Sequence, residues 1–182
     1  MKIIRNIGSL TYTLIIILGT SLILVPTGKA VQLDDGTVYF NEPPSLGKVE
    51  TSDNTVNSKD ATYFFNVNIP DIADEPLKKI NLTQKKGEVN IQFNLKNVVA
   101  FQNDNHQQRL SLEQVTYDKK TQTISIIFAS PVNPGSSVTI GVQPLQNPSE
   151  SGTYLFGIEA FPQGNKAHGQ FLGFGRLEFF SR

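Results

Sequence analysis

Two histidines are the first residues of this 182-residue chain to test for chemistry, because it has no cysteine. His106 sits in the polar run FQNDNHQQR, with Asp104 two positions before it, and His168 sits in NKAHG. Two imidazoles cannot make a three-histidine centre. Each could join a carboxylate in a weak metal site, so His106 and His168 are the candidate ligands. Without cysteine, thiol catalysis, iron–sulfur clusters and cysteine-zinc sites are excluded.

Other constellations are thinner. No Gly-x-Ser-x-Gly elbow presents a serine nucleophile, and SGTY and PGSS read as ordinary turns. Glu159 and Glu178 are the acids to weigh as a glycosidase pair, which needs carboxylates about 5 to 10 Å apart. Both fall on strands where they should face solvent. Asp34-Asp35-Gly36 lacks the further spaced oxygen ligands of a calcium loop and reads as a turn. The glycines of GQFLGFGRLEFF have no third glycine and no following helix, so they are not a nucleotide loop. No catalytic residue and no cofactor is expected, and the chain reads as a non-enzyme.

The elements that would position these residues begin after a distinct leader. Lys2 and Arg5 precede an uncharged stretch from Asn6 to Gly28, Pro26 breaks it, and Gly28 and Ala30 are small. This is the order of a secretory signal peptide, residues 1–30, cleaved after Ala30. The apolar stretch also approaches the roughly 20 residues of a membrane span, so an uncleaved anchor is the rival reading and the only route to a membrane. Three of the 16 basic residues and none of the 16 acidic ones lie in the leader, which leaves 13 against 16, a net charge of about −3. The lysine pairs 78–79, 85–86 and 119–120 are scattered among acids, so nucleic acid is not an expected partner.

From residue 31 onward the chain reads as one domain, 31–182. Period-2 alternation is clear in ATYFFNVNI (Tyr63, Phe65, Val67 and Ile69 on one face), in VNIQFNL (Val89, Ile91, Phe93 and Leu95) and in SVTIGV (Val138, Ile140 and Val142). KINLTQ, VVAF, EQVTYD, TISIIF, TYLFGIEAF and QFLGFGRLEFF add further strands, and Thr37–Phe40 a short one. Residues 45–60 read as a loop or irregular edge, and DIADEPL as a helical turn. Eight to ten short strands and no long amphipathic helix after the leader predict an all-β fold, an antiparallel β-sandwich of the immunoglobulin-like kind, with a barrel as the main structural rival.

Glycine in the terminal strand is a packing matter. Straight alternation puts Gly173 and Gly175 on one face with Phe171, Leu177 and Phe179. A symmetric hairpin with the preceding strand sets Ile158 opposite Gly173 and Phe156 opposite Gly175, large side chains covering bare backbone. The alternative is a bulge at a glycine.

The blocks VQLDDGTVYFNEPPSL, ATYFFNVNIPDIADEPLKKINL, FASPVNPGSSVTIGVQPLQNP, GTYLFGIEAFPQG and GQFLGFGRLEFF, in this order, resemble the domain-of-unknown-function 2808 family, exported proteins known mainly from cyanobacteria. The resemblance implies export and one β-rich domain, and carries no site residues. Together these readings give an exported, non-catalytic binding or structural module of the cell envelope or exterior; periplasm, outside and thylakoid lumen all fit. The expected partner is an envelope protein or a polysaccharide. A cluster of exposed Tyr or Phe, for example Tyr39, Tyr63, Tyr117 or Tyr154, would form the shelf for a polysaccharide; the alternative is that these tyrosines are all core. A metal or small-ligand binder using the loop histidines is the second reading, and a secreted hydrolase the third.

Overall fold

The computed structural model describes residues 31–33, 35–102 and 108–181. The leader and His106 lie outside the described residues. Among the described residues twelve strands form: β1 (Val31–Gln32), β2 (Thr37–Tyr39), β3 (Ser45–Thr51), β4 (Tyr63–Ile69), β5 (Leu77–Lys86), β6 (Val99–Gln102), β7 (Leu112–Asp118), β8 (Thr123–Val132), β9 (Ser136–Val142), β10 (Gly152–Pro162), β11 (Lys166–Ala167) and β12 (Gln170–Phe179). A short 3-10 turn at Asp71–Ala73 occupies the expected helical turn, and another spans Leu95–Asn97. Among the described residues no helix is long and apolar enough to cross a membrane.

Two antiparallel sheets carry the core, in the orders β12-β10-β5-β8-β7 and β3-β4-β9-β6. Taking β3, β4, β9 and β6 as strands A, B, E and D, and β5, β10 and β12 as C, F and G, reproduces the immunoglobulin strand order. The β7–β8 hairpin is inserted between D and E and extends the second sheet past β5. The expected antiparallel β-sandwich is therefore the observed one. A third, small sheet of β1, β2 and β11 includes a parallel pair, Lys166 against Thr37 and Ala167 against Val38.

The period-2 pattern explains the core. Tyr63, Phe65 and Val67 of β4 pair with Val142, Ile140 and Val138 of β9, all fully buried. They face Tyr154, Phe156, Ile158 and Ala160 of β10 and Ile80 and Leu82 of β5. Phe156 is the hub of the aromatic packing, with ring centroids 5.5 Å from Phe65, 6.2 Å from Tyr63 and 6.3 Å from Phe93. These separations suit edge-to-face contact, and each such side chain contributes about 1.5–3 kcal/mol by burial.

Two readings resolve locally. Of the two alternatives for residues 45–60, residues 45–51 take the irregular edge: β3 is the outermost strand of its sheet, with a register shift between Leu46 and Val49, so its polar residues face water and hide the alternation. Conversely, Val89–Leu95 joins neither sheet. Ile91 and Phe93 point inward and Asn90 and Gln92 outward, as the alternation requires, but among the described residues the segment makes only one bridge, Phe93 to Pro144. Gly87, at φ +151°, turns it away from β5 and across the end of the sandwich. There the Leu145 N–H donates to the Gln92 carbonyl at 2.8 Å and the Asn94 N–H to Gln143 at 2.9 Å.

Candidate functional site

Among the described residues, those singled out for chemistry do not converge; His106 lies outside them. The backbone N–H of His168 donates to the Val38 carbonyl at 2.9 Å, and its exposed ring lies 4.6 Å from that of Tyr39. Among the described residues no three His, Cys, Asp or Glu side chains come together to hold a metal. Asp35 accepts the N–H of Thr37 at 2.9 Å, which lowers its pKa and makes the segment a turn. Glu159 and Glu178 share the outer face of one sheet, but Glu178 pairs with Thr153, six residues along β10 from Glu159. At the strand rise that is about 20 Å, beyond the reach of a glycosidase pair. Glu159 instead takes a hydrogen bond from Asn81 at 3.3 Å, and Asn81 takes one from Ser125 at 2.8 Å.

The four tyrosines form no exposed shelf. Tyr63 and Tyr154 are core, and Tyr39 and Tyr117 are half-buried. Burial pushes the Tyr63 hydroxyl far above the ordinary tyrosine range, with Tyr154 adding to it, and burial raises Tyr117 and Tyr154 as well. Among the described residues the exposed large aromatics are phenylalanines: Phe171 at 58% and Phe174 at 55% on β12, and Phe180 at 53% just after it.

A bulge sets this surface. Along the β10–β12 hairpin Phe156 pairs with Gly175 and Ile158 with Gly173, the symmetric closure read from sequence. The next pair is Glu159 with Phe171, so Leu172 is the extra residue. Gly173 takes φ +127°, so the bulge reading holds at that glycine, while Ile158 covers Gly175, its Cδ1 3.3 Å from a Cβ there. The bulge corrects one expectation. Leu172 turns toward the core, and Phe171 moves from the inner face to the outer face beside Phe174. Their ring centroids are 5.0 Å apart at 68°. Gly157, opposite Phe174, leaves the backbone low there. A Cβ on Gly157 would stand 3.4 Å from Phe171 Cε2 and 3.3 Å from Lys85 Cε, so ring and lysine stem lie over it.

A second cluster lies at the end of the sandwich that Val89–Leu95 crosses. Asn147 is 3% exposed, one of few buried polar residues. Its Oδ1 accepts the Tyr63 hydroxyl at 2.8 Å, and its Nδ2 donates to the carbonyls of Asp53 at 3.0 Å and Thr55 at 2.8 Å. This pins loop 52–60 to loop 143–149. Above it opens a cleft of about 320 Å³ between those loops and residues 89–92. Sequence reasoning missed both clusters. A bulge has no reliable side-chain signature, and an asparagine between Gln146 and Pro148 reads as a solvated turn.

No curated protein matches the sequence. Among solved structures, the collagen-binding domain of a Staphylococcus aureus adhesin is similar at 12% identity and a TM-score of 0.42, over 76% of this chain and 97% of that one. BslA, a bacterial hydrophobin, is similar at 16% identity and a TM-score of 0.45, over 78% and 96%. A chain from the structure of manganese lipoxygenase of Gaeumannomyces graminis and part of zonadhesin of Komagataella pastoris matches at 12% identity and a TM-score of 0.46. That match covers 73% of this chain, which spans 46% of its length. At these values the sandwich rests on this chain's own strand order. The sequence itself is decisive about kinship: the model of the family described as Protein of unknown function (DUF2808) matches residues 37–179, and the chain belongs to that family.

Proposed function

We propose that this protein is a non-catalytic binding module of the cell envelope or exterior, and that it docks a partner protein on the Phe171–Phe174 surface of β12. One observation carries the reading: two adjacent phenylalanines, each more than half exposed, lie on the outermost strand of a sheet. A bulge holds them there at the cost of an unusual glycine backbone. Such a patch is the mark of an interaction surface. The rings cross at 68°, so they offer a notch for an apolar side chain and no flat platform for a sugar. The leader sequence supports export. The separation of Glu159 from Glu178 supports a role without catalysis.

The test replaces Phe174 with a benzophenone amino acid in cells that make the protein, with Thr116 on β7 as the control position. A discrete protein adduct from position 174 and none from 116 is expected. The same adducts from both positions, or none from 174, would overturn the reading. Sequencing the N-terminus of the recovered protein tests cleavage after Ala30.

A further inference from the structure

The cleft at the end of the sandwich has a chemistry unlike the rest of the surface. Asn57, Asn90, Gln92 and Gln146 bring four carboxamides to its rim, and none of its lining residues is charged. Leu145, 55% exposed, supplies apolar surface beside them. The volume, about 320 Å³, is at the lower end of the ~300–1,000 Å³ typical of small-ligand sites.

The walls are fixed before any ligand arrives. The Leu145 N–H donates to the Gln92 carbonyl at 2.8 Å, the Asn57 N–H to Pro148 at 3.1 Å, and the Asn147 N–H to Ser58 at 2.7 Å. Gln146 Nε2 donates to the Asn57 carbonyl at 3.0 Å, which orients that carboxamide. The exposed carboxamides of Asn90 and Gln92 hydrogen-bond to no other described residue, so both their donors and their acceptors are open to a ligand. Binding to a preformed cleft loses little to ordering.

We infer that this cleft is a binding site for a neutral oligosaccharide, held by the carboxamides of Asn90, Gln92 and Gln146 through its hydroxyls and by Leu145 through its C–H face. A carboxamide both donates and accepts, as a sugar hydroxyl does, and the match needs no counter-charge. An anionic or cationic ligand would find no opposite charge in this lining. The site is distinct from the Phe171–Phe174 surface, so the protein would join a partner protein to a glycan.

The purified full chain, labelled with ¹⁵N, is titrated with maltohexaose, cellohexaose and laminarihexaose, and with polygalacturonate as the charged contrast. Concentrations reach about 10 mM, enough to detect a millimolar Kd. The expected result is that at least one neutral hexaose shifts the side-chain amide signals of Asn90 and Gln92. N90A/Q92A should then weaken binding about ten-fold or more, in line with the loss of one or two hydrogen bonds, with signal dispersion unchanged. F171S/F174S should leave that binding intact. The inference is overturned if none of the neutral hexaoses binds, if polygalacturonate binds more tightly, if the shifts map to β12, or if N90A/Q92A binds as the parent does. None of these outcomes bears on the benzophenone adduct at position 174, so the two readings stand or fall separately.

Discussion

The Tyr63 hydroxyl donates to Oδ1 of Asn147 at 2.8 Å across 84 positions of sequence, inside the core. Asn147 passes the connection on through Nδ2 to two carbonyls of the 52–60 loop. Asn147→Leu removes three hydrogen bonds and strands a buried hydroxyl and two carbonyls. We expect a loss of about 2–4 kcal/mol in urea unfolding followed by far-UV circular dichroism. Tyr63→Phe should cost about 1–2 kcal/mol, and the double variant should cost less than the sum of the two.

The same tyrosine gives an alkaline limit. Its folded-state pKa is raised by burial, so the folded protein holds the proton more tightly than the unfolded chain. Stability from this group is complete below the unfolded value of about 10 and falls as pH rises above it. The slope approaches about 1.4 kcal/mol per pH unit for one such group, and Tyr154 and Tyr117 are shifted in the same direction. Unfolding midpoints measured from pH 8 to 11 should be level to about pH 10 and then drop. Tyr63→Phe should start lower and drop less steeply.

The two glycines of β12 should fail for different reasons. A Cβ on Gly175 would stand 3.0 and 3.1 Å from the methyls of Val49 and 3.3 Å from Ile158 Cδ1. Gly175→Ala should cost on the order of 1–3 kcal/mol by crowding, and Val49→Ala should recover part of it. Gly173 has room, since the nearest atom to its Cβ position is Leu46 Cδ2 at 4.0 Å, but its φ is +127°. Gly173→Ala should cost about 1–3 kcal/mol through the backbone, and Val49→Ala should not relieve it. Thermal melts of the four variants separate the two causes.

Phe171→Ser with Phe174→Ser should leave stability within about 0.5 kcal/mol of the parent, because both side chains are mostly in water. The same change should abolish the partner adducts formed by a benzophenone placed at the neighbouring Arg176. A large fall in melting temperature would mean that the pair is structural.

Strand positions with an apolar residue every second place were legible wherever both neighbours in the sheet are strands, as in β4 and β9. The hairpin register, Ile158 on Gly173 and Phe156 on Gly175, was legible too, because a symmetric closure of the connecting loop fixes which residues oppose each other. The outer position of Phe171 was not. It depends on one extra residue at Leu172, and Gly173 serves a straight strand and a bulge equally well as sequence. Val89–Leu95 alternates without a fault yet makes no sheet, since alternation reports which side is buried and says nothing about what the backbone pairs with. The cleft was illegible for the same reason: its amides come from residues 57, 90–92 and 146, which only the end of the sandwich brings together.

The strand order also bears on when the fold can form. β10 lies between β5 and β12, and its inward residues are the hub of the core. Its partner β5 was made some seventy residues earlier. Pairing so remote in sequence is slow, because a long loop must close before any contact rewards it. The early strands therefore have no complete core to join until Gly152 and the residues after it are available. A ribosome or a translocation pore that still holds this segment keeps the whole chain open, with its edges unpaired and in need of shelter.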